Sequence, residues 1–547
     1  MSDKPATLAP FVSTPAGRPP GAPQEAPRID GELVRRALLG KVELPLDCPL
    51  AVDDRGARMT GVIVEGGLDL SAVKFDRPIT FEYCTILGPV LMNDASLSSV
   101  SVAGSRMPSM EVRRAVISGD LELVGARIEN RGGVAFNGER VVVSGHCALS
   151  HGAVIDGAVT LMGANVGGSL IFFEGTFRHP YPKDPSTPWY WPTSCAINIG
   201  NVRIGQILML FANVEGLVVA VGAQIGDAAL IEGKGNGGSF TTGGGSRAGI
   251  DFSNAVIGRA ISFSGLKAFA GELSLGGAKT QTLADDGSLW RDPPSNKRRG
   301  DVVLNLDGFK YDAFGDPPGG HTDDDAETRL AWLHMQPEAW LASDFRPQPF
   351  TQCAAVLQSM GDAHGARLVL FQRERLRLKG KRVGFWERLG GYALGALAGY
   401  GFRNHRALYW AVSIWLFGAL VFGVADRLDQ MRPADPHVLA EARYQETGHV
   451  PRDYEPVKPV IYSLDLFLPI VEIGQVEYWI PRDAGERPAN ARAVFPRLPA
   501  PVASAVDWAF GGWLPKAYYY FETAMGWLLV SIVLAGFSGL LGRAGDD

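Results

Sequence analysis

Residues 157–166 read GAVTLMGANV, and residues 118–128, SGDLELVGARI, have nearly the same form. Each stretch holds alternating apolar residues, a glycine, a small residue and a closing apolar residue. The closing position recurs at intervals of 10 or 11 residues, at Val64, Phe75, Ile86, Leu97, Met107, Ile117 and Ile128. The chain therefore carries an internal repeat of about 11 residues.

The alternation inside each repeat has period two, which is typical of a β-strand. An 11-residue unit is too short to hold both a helix and a strand, so leucine-rich repeats are excluded. The sequence predicts a mainly β fold, a parallel β-helix (solenoid) of about 11-residue units with two units per turn and strands about 4.8 Å apart. The small residue would fit a corner, and the closing apolar residue would fill the interior. This domain is expected over 29–322, with breaks at 129–145, 178–196 and 233–248.

The small residue two positions before a bulky one resembles the pentapeptide-repeat and bactofilin-like β-helix families. Examples are Ala115 before Ile117 and Ala126 before Ile128. The period of 11 departs from a strict five-residue repeat. The resemblance implies a scaffold or protein-interaction domain, with a protein partner bound to the β-helix.

Composition narrows the classes of function. The 547 residues are 46% hydrophobic and 20% charged with a net charge of −6, so no nucleic-acid partner is expected. Glycine accounts for 67 of the 547 residues, a share well above the roughly 7% found in ordinary sequences. The 5 cysteines form no CxxC pair, which favours a reducing compartment. Residues 1–28 are rich in proline and alanine and predict a disordered tail.

No motif in the chain indicates a catalytic, metal or cofactor site, so an enzyme is not favoured. GKGNGG at 233–238 satisfies G-x-G-x-x-G, but no helix is predicted after it to hold a pyrophosphate. The group His146, Cys147 and His151 lacks a recognised metal-ligand spacing. The aromatic, proline-rich insertion 179–195 is interpreted as a lid packed on the strands.

Residues 323–382 change to helical spacing and predict an α-helical hairpin with a turn at Met360-Gly361-Asp362. The hairpin leads into a basic stretch that stands next to an apolar region. Such a placement favours contact with anionic lipid. The predicted membrane-surface cluster comprises Arg373, Arg375, Arg377, Lys379, Lys381, Arg382, Arg388, Arg403 and Arg406.

Two uncharged stretches predict transmembrane helices at 407–426 and 524–543. Residues 383–406 are apolar but interrupted by glycines, and predict an interfacial amphipathic helix. The positive-inside rule then places the N-terminal domain and the C-terminal tail, 544–547, in the cytoplasm of a bacterium, with a multi-pass inner-membrane location.

The connector 427–523 is expected outside the membrane and contains an apolar segment, 462–481, that carries Glu472 and Gln475. One interpretation is a pore-lining or gating segment, although no carbonyl filter sequence is present. The other, favoured, interpretation is an amphipathic helix on the membrane surface or against the spans.

The segment from LNLDGFKYDAF at 304–314 through PQPFTQCAAVL at 347–357 resembles part of an uncharacterised bacterial membrane-protein family, often labelled membrane-associated oxidoreductase. GYGFR at 399–403 and YSLDLFLPIVEIGQ at 462–475 belong to the same resemblance. No flavin, nicotinamide or haem fingerprint accompanies these residues. The sequence therefore favours a membrane-tethered cytoplasmic scaffold that contacts lipids and a protein partner. The alternative is an oligomeric, channel-like or membrane-perturbing protein with the β-helix as its assembly domain.

Overall fold

The computed structural model describes residues 26–44, 47–180, 195–233, 238–242, 248–266, 268–292, 297–298, 300–318, 320–322, 324–381, 383–401, 405–441, 444, 450–451, 453–468, 471–486, 489–511 and 513–537. The chain divides into two compact units, residues 1–376 and residues 377–547. Each unit is described by itself below.

The first unit begins with the strand Arg28–Asp30 and helix α1, Gly31–Leu38. Asp30 caps the helix, since its side chain accepts a hydrogen bond from the backbone N–H of Glu32 at 2.8 Å. The apolar side of α1 is buried through Val34 and Leu38. This packing covers the first strands of the sheet that follows.

The first unit is dominated by a 27-stranded sheet. Its strands are Arg28–Asp30, Leu50–Asp53, Gly56–Thr60, Ile63–Glu65, Leu68–Asp69, Ile79–Glu82, Thr85–Ile86, Val90–Leu91, Val100–Ala103, Arg106–Met107, Met110–Glu111, Leu121–Val124, Arg127–Asn137, Cys147–Ser150, Val154–Thr160, Leu170–Arg178, Ile197–Asn198, Leu208–Glu215, Leu217–Val219, Ala228–Glu232, Ser239–Thr241, Gly249–Asp251, Ala260–Ser264, Gly271–Ser274, Thr282–Asp285, Val302–Asn305 and Ala313–Gly315.

A second sheet in this unit has eight strands, all paired in parallel. Ser96 pairs with Lys74 on one side and with Val116 on the other, so paired residues lie two 11-residue units apart in sequence. The strands are Lys74–Phe75, Ser96–Leu97, Val116–Ile117, Val142–Val143, Asn165–Val166, Arg203–Ile204, Gln224–Ile225 and Val256–Ile257. A short separate ribbon pairs Arg291–Asp292 with Lys297–Arg298.

The repeat places its closing apolar residues in the interior, which confirms the predicted burial pattern. The small residue two positions earlier is buried as well, as Ala115 and Ala126 show. The buried closing residues are Val64, Phe75, Ile86, Leu97, Met107, Ile117 and Ile128. Side chains from successive paired strands thus form one continuous apolar core.

Glycine recurs directly before the small residue of the repeat because the backbone there turns with a positive φ. Gly163 and Gly222 both have φ +67° there, in the left-handed region that L-residues adopt only at a cost. Asp94 and Asn254 occupy the same corner in other repeats with φ 57° and 58°. Aspartate and asparagine are the non-glycine residues that tolerate this conformation best.

The fold class predicted from the sequence is wrong in the form stated, a parallel β-helix solenoid of 11-residue units with a helical hairpin and two transmembrane helices. The large sheet mixes parallel with antiparallel pairs, since Leu50–Asp53 runs antiparallel to Gly56–Thr60. In addition, twelve α-helices are described in the residues that the structure covers. The sequence period reports which residues are buried. It does not report where hairpins, long strands such as Arg127–Asn137 and helices interrupt the repeat.

Three helices complete the first unit: α2, Ala326–Leu333; α3, Gln348–Ser359; and α4, Ala363–Arg377, whose last residue belongs to the second unit. A 3₁₀ turn at Glu338–Leu341 precedes α3. The turn between α3 and α4 lies at Met360-Gly361-Asp362, where Gly361 has φ +94°. Phe350 and Leu357 of α3 are buried in the same core as the strands.

The second unit is helical. Its helices are α5, Phe385–Ala398; α6, His405–Arg427; α7, Pro436–Ala440; α8, Pro459–Phe467; α9, Gln475–Tyr478; α10, Ala491–Val494; α11, Ala500–Phe510; and α12, Leu514–Phe537. A small ribbon pairs Met431–Pro433 antiparallel with Trp479–Pro481. Helix α6 packs against α8 and α12.

The prediction of two transmembrane helices is wrong. Within the described residues, Arg406–Arg427 is the one stretch of helix long and apolar enough to cross a membrane. Helix α12 begins ten residues before the predicted second span and carries Lys516 and Glu522 in its first half. Residues 538–543 of that predicted span lie outside the described part of the chain.

Candidate functional site

The predicted basic cluster does not form one surface, because Arg373 is buried in the first unit. Its Nη1 donates to Oγ1 of Thr351 at 3.0 Å, and its Nη2 lies 3.0 Å from Oε1 of Glu374. Arg373 therefore stabilises the α3–α4 pair. Arg375, two residues later on α4, is exposed.

In the second unit the cluster separates into paired and exposed cations. Arg377 forms an ion pair with Glu387 at 2.7 Å. Nη2 of Arg388 donates to the carbonyl of Gly380 at 2.7 Å. Lys379 and Lys381 are exposed, and Arg406 is half-buried at the start of α6. The predicted Arg382 and Arg403 lie outside the described residues.

Helix α5 presents a pair of aromatic side chains close in sequence to these lysines. Phe385 is 71% exposed and Trp386 78% exposed, and their rings meet edge to face at 5.3 Å. Leu389 and Tyr392 are also exposed on this helix. The predicted interfacial helix 383–406 corresponds to the shorter helix α5, Phe385–Ala398. The chain turns at Gly399–Gly401 before α6 begins. Exposed aromatic residues beside lysine are typical of a bilayer interface.

Helix α6 exposes seven large apolar side chains. Only 28% of its apolar stretch is buried, whereas the core helix of a soluble protein is mostly buried. The exposed large residues are Leu408, Tyr409, Trp410, Val412, Leu416, Phe417 and Leu420. An apolar area of this kind marks a surface made for contact with lipid or with another protein.

The predicted segment 462–481 is interrupted, being divided among α8, α9 and the strand Trp479–Pro481. Glu472 is exposed between α8 and α9. Gln475 is buried, and its Oε1 accepts a hydrogen bond from the backbone N–H of Lys458 at 2.9 Å. The two residues therefore do not share one surface, and their role in a pore or gate stays a prediction.

A buried carboxyl group lies where α6, α8 and α12 meet. Glu522 of α12 has no exposed surface, and its Oε1 lies 2.5 Å from Oγ of Ser463 on α8. Oγ of Ser463 also lies 2.8 Å from the carbonyl oxygen of Trp415 on α6. Oε2 of Glu522 has no hydrogen-bond partner among the described residues.

Two glycines allow the three helices to come this close. A methyl group on Gly418 of α6 would overlap Ser463 Oγ and both carboxyl oxygens of Glu522. A methyl group on Gly526 of α12 would overlap the carbonyl oxygen of Phe467, at the end of α8. Tyr518 adds a hydrogen bond from its hydroxyl to the carbonyl of Ile414 at 2.8 Å.

Sequence reasoning missed Glu522 and Ser463. The available signal was a single carboxylate in the apolar stretch YYYFETAMGWLL at 518–529, which marks an ionisable residue within an apolar helix. Its partner gives no such signal, because Ser463 lies 59 residues away in sequence.

The metal-ligand types noted in the first unit do not assemble into a site. Cys147 is fully buried, and burial raises the pKa of its thiol to about 12. His146 Nδ1 accepts a hydrogen bond from the N–H of Ser169 at 3.0 Å, and the His151 ring lies 5.3 Å from that of Phe173. In the described ranges, no three histidine, cysteine or carboxylate groups lie together in a way that could hold a metal ion.

Two further predicted features fall largely outside the described residues. In GKGNGG, residues 234–237 are outside, and the strand Ser239–Thr241 follows directly. The predicted lid 179–195 is described only at its two ends.

A shallow groove of about 450 Å³ runs over the eight-stranded sheet. Gly167, Gly205, Gly226 and Gly258 line it, and a methyl group on any of the last three would overlap the carbonyl oxygen of the glycine before it in this series. Arg203 and Gln224 line the groove with polar groups. This groove is a candidate contact surface on the first unit.

No family model, curated protein or solved structure matches the chain.

Proposed function

We propose that the protein is a membrane-attached structural protein. Its second unit binds a lipid bilayer, and its first unit is a rigid platform that presents an outer surface to a protein partner. The observation that supports this proposal most strongly is the exposure of α6, of which only 28% of the apolar stretch is buried. In water, such a helix would leave a large apolar area uncovered.

The flanking residues support the same function. Phe385 and Trp386 on α5 are suited to the headgroup region, where aromatic rings can keep one edge in water. The exposed Lys379 and Lys381 come shortly before them and suit anionic phospholipid. Because these cations precede α6, the positive-inside rule favours a cytoplasmic location for the first unit at a bacterial inner membrane.

A scaffold function fits the first unit better than an enzymatic one. Its buried positions are occupied mainly by apolar ladders, and its outward surface includes the groove lined by Arg203 and Gln224. Repeated strand pairing already orders this surface, so little conformational entropy is lost when a partner binds to it.

Flotation of the purified full-length protein with vesicles tests membrane attachment. We expect the protein to float with vesicles that contain phosphatidylglycerol, and to remain bound after washing with high salt and with alkaline carbonate. Leu416→Lys places a charge in the middle of α6 and should abolish the resistant binding. Val303→Lys, at another exposed apolar residue in the first unit, is the matched control and should bind normally.

The proposal fails if the wild-type protein is monodisperse without detergent and stays at the bottom of the gradient. It also fails if Leu416→Lys and Val303→Lys float equally well, since α6 would then not be the attachment site.

A further inference from the structure

The carboxyl group of Glu522 is isolated from water. The side chain has no exposed surface, and one of its two oxygens has no hydrogen-bond partner among the described residues. An ionised carboxylate needs several strong donors or a nearby cation to remain charged in such surroundings.

No cation faces this carboxyl group from the three helices around it. Helix α6 presents Gly418 and the carbonyl of Trp415, and its residues 407–425 include no charged side chain. Helix α8 presents Ser463, with Tyr462 near enough to Glu522 to interact electrostatically. On α12, Tyr518 interacts electrostatically with Glu522, and the cation Lys516 pairs with Asp483 instead.

Asp465 does not compensate the charge, because it is itself an acceptor. Its Oδ1 accepts from the N–H of Ile473 at 2.7 Å, and its Oδ2 accepts from the N–H of Val476 at 2.9 Å.

The hydrogen-bonding capacity of the Ser463 hydroxyl also favours a protonated Glu522. Its hydroxyl has one proton but lies within hydrogen-bonding distance of two acceptors, the Trp415 carbonyl at 2.8 Å and Glu522 Oε1 at 2.5 Å. If Glu522 is protonated, its own O–H donates to Ser463, and Ser463 donates to Trp415. All of these short contacts are then satisfied hydrogen bonds.

The geometry points to Glu522 as a proton-binding site, with the carboxyl group held in its neutral form at neutral pH by Ser463. A proton fits this site better than a metal ion, since Ca²⁺ and Mg²⁺ require about six oxygen ligands. The described residues bring no such set together. Loss of the proton would leave an uncompensated charge between α6, α8 and α12, so release of the proton is coupled to opening of this helix junction.

This inference does not depend on the attachment of the second unit to a membrane. Its experiment is infrared spectroscopy of the full-length protein in detergent at pH 7. We expect the carbonyl band of a protonated carboxylic acid in the wild type and its loss in Glu522→Gln. Glu472→Gln, at an exposed glutamate of the same unit, is the control and should keep the band. Ser463→Ala should shift the band, because the hydrogen bond to the acid is lost.

Identical spectra of the wild type and Glu522→Gln at pH 7 would overturn the inference, because Glu522 would then be ionised. Failure of Glu522→Gln to fold would overturn it as well, since glutamine has the size and the neutrality of the protonated acid. A band that disappears in Glu522→Gln but is unmoved in Ser463→Ala would exclude Ser463 as the group that stabilises the neutral carboxyl group of Glu522.

Discussion

Nη1 of Arg329 lies 2.7 Å from Oδ2 of Asp285, and the side chains are 0% and 5% exposed. The pair joins α2 to the strand Thr282–Asp285 inside the core of the first unit. The guanidinium also lies 4.1 Å from the centre of the Phe314 ring. Both charges are therefore compensated where water cannot reach them.

Removing one partner of this pair should be strongly destabilising. Arg329→Met leaves the Asp285 carboxylate buried without its cation, which typically costs about 3–5 kcal/mol. Chemical unfolding followed by circular dichroism should show this loss. Arg346→Met is the matched control, because Arg346 also pairs with an aspartate, Asp307, and stacks on an aromatic ring, but is 35% exposed. We expect the control to cost about 1 kcal/mol or less from its ion pair. Equal losses in the two variants would contradict the role of the buried pair.

Two glycines of the repeat should respond differently to alanine. Gly163 has φ +67°, but the nearest atom to an added methyl group is 3.6 Å away, so Gly163→Ala meets only backbone strain of about 1–2 kcal/mol. In Gly226→Ala the methyl group overlaps the carbonyl oxygen of Gly205, which directly follows the paired strand Arg203–Ile204. Neither backbone can move without breaking the ladder, so Gly226→Ala should lose more stability in the same unfolding measurement. A smaller loss for Gly226→Ala would mean that the strands are not stacked this closely.

The repeat could be predicted because its cause is local. A buried ladder needs an apolar residue at every recurrence, so Ile117 and its equivalents are visible as a period. The antiparallel pairing of Leu50–Asp53 with Gly56–Thr60 depends on a single tight turn, and one turn leaves no period in the sequence.

The candidate site could be predicted only in part. Exposed aromatic and basic residues near an apolar stretch are visible in sequence, which is how α5 and α6 were associated with lipid. The contact between Glu522 and Ser463 depends on two glycines, Gly418 and Gly526, that let three distant helices approach. Burial of Arg373 likewise depends on the packing of α3 against α4. Contacts of this kind follow from tertiary packing, which one sequence does not report.

The cysteines should differ in reactivity according to burial. Burial raises the pKa of the thiols of Cys147, Cys195 and Cys353 to about 12, and it also raises the pKa of Cys84. At pH 8 these groups are protonated and inaccessible, whereas Cys48 is partly exposed. We expect a thiol reagent such as Ellman's to modify one cysteine per folded chain at pH 8 and all five after unfolding. Cys48→Ser should abolish the reaction of the folded protein, and a remaining reactive thiol would show that the core opens.

Close helix packing in the second unit can be tested with a matched pair of glycines. Gly526→Ala places a methyl group on the carbonyl oxygen of Phe467, so α8 and α12 must separate and the variant should unfold at a lower temperature. Gly423→Ala is the control, because its methyl group would lie 3.5 Å from the nearest atom of Pro459, an ordinary contact. Alanine is the better helix former by about 1 kcal/mol, so the control should be neutral or stabilising. Thermal unfolding in detergent, followed by helical circular dichroism, measures both. Equal stability of the two variants would show that the carbonyl of Phe467 does not rest on α12.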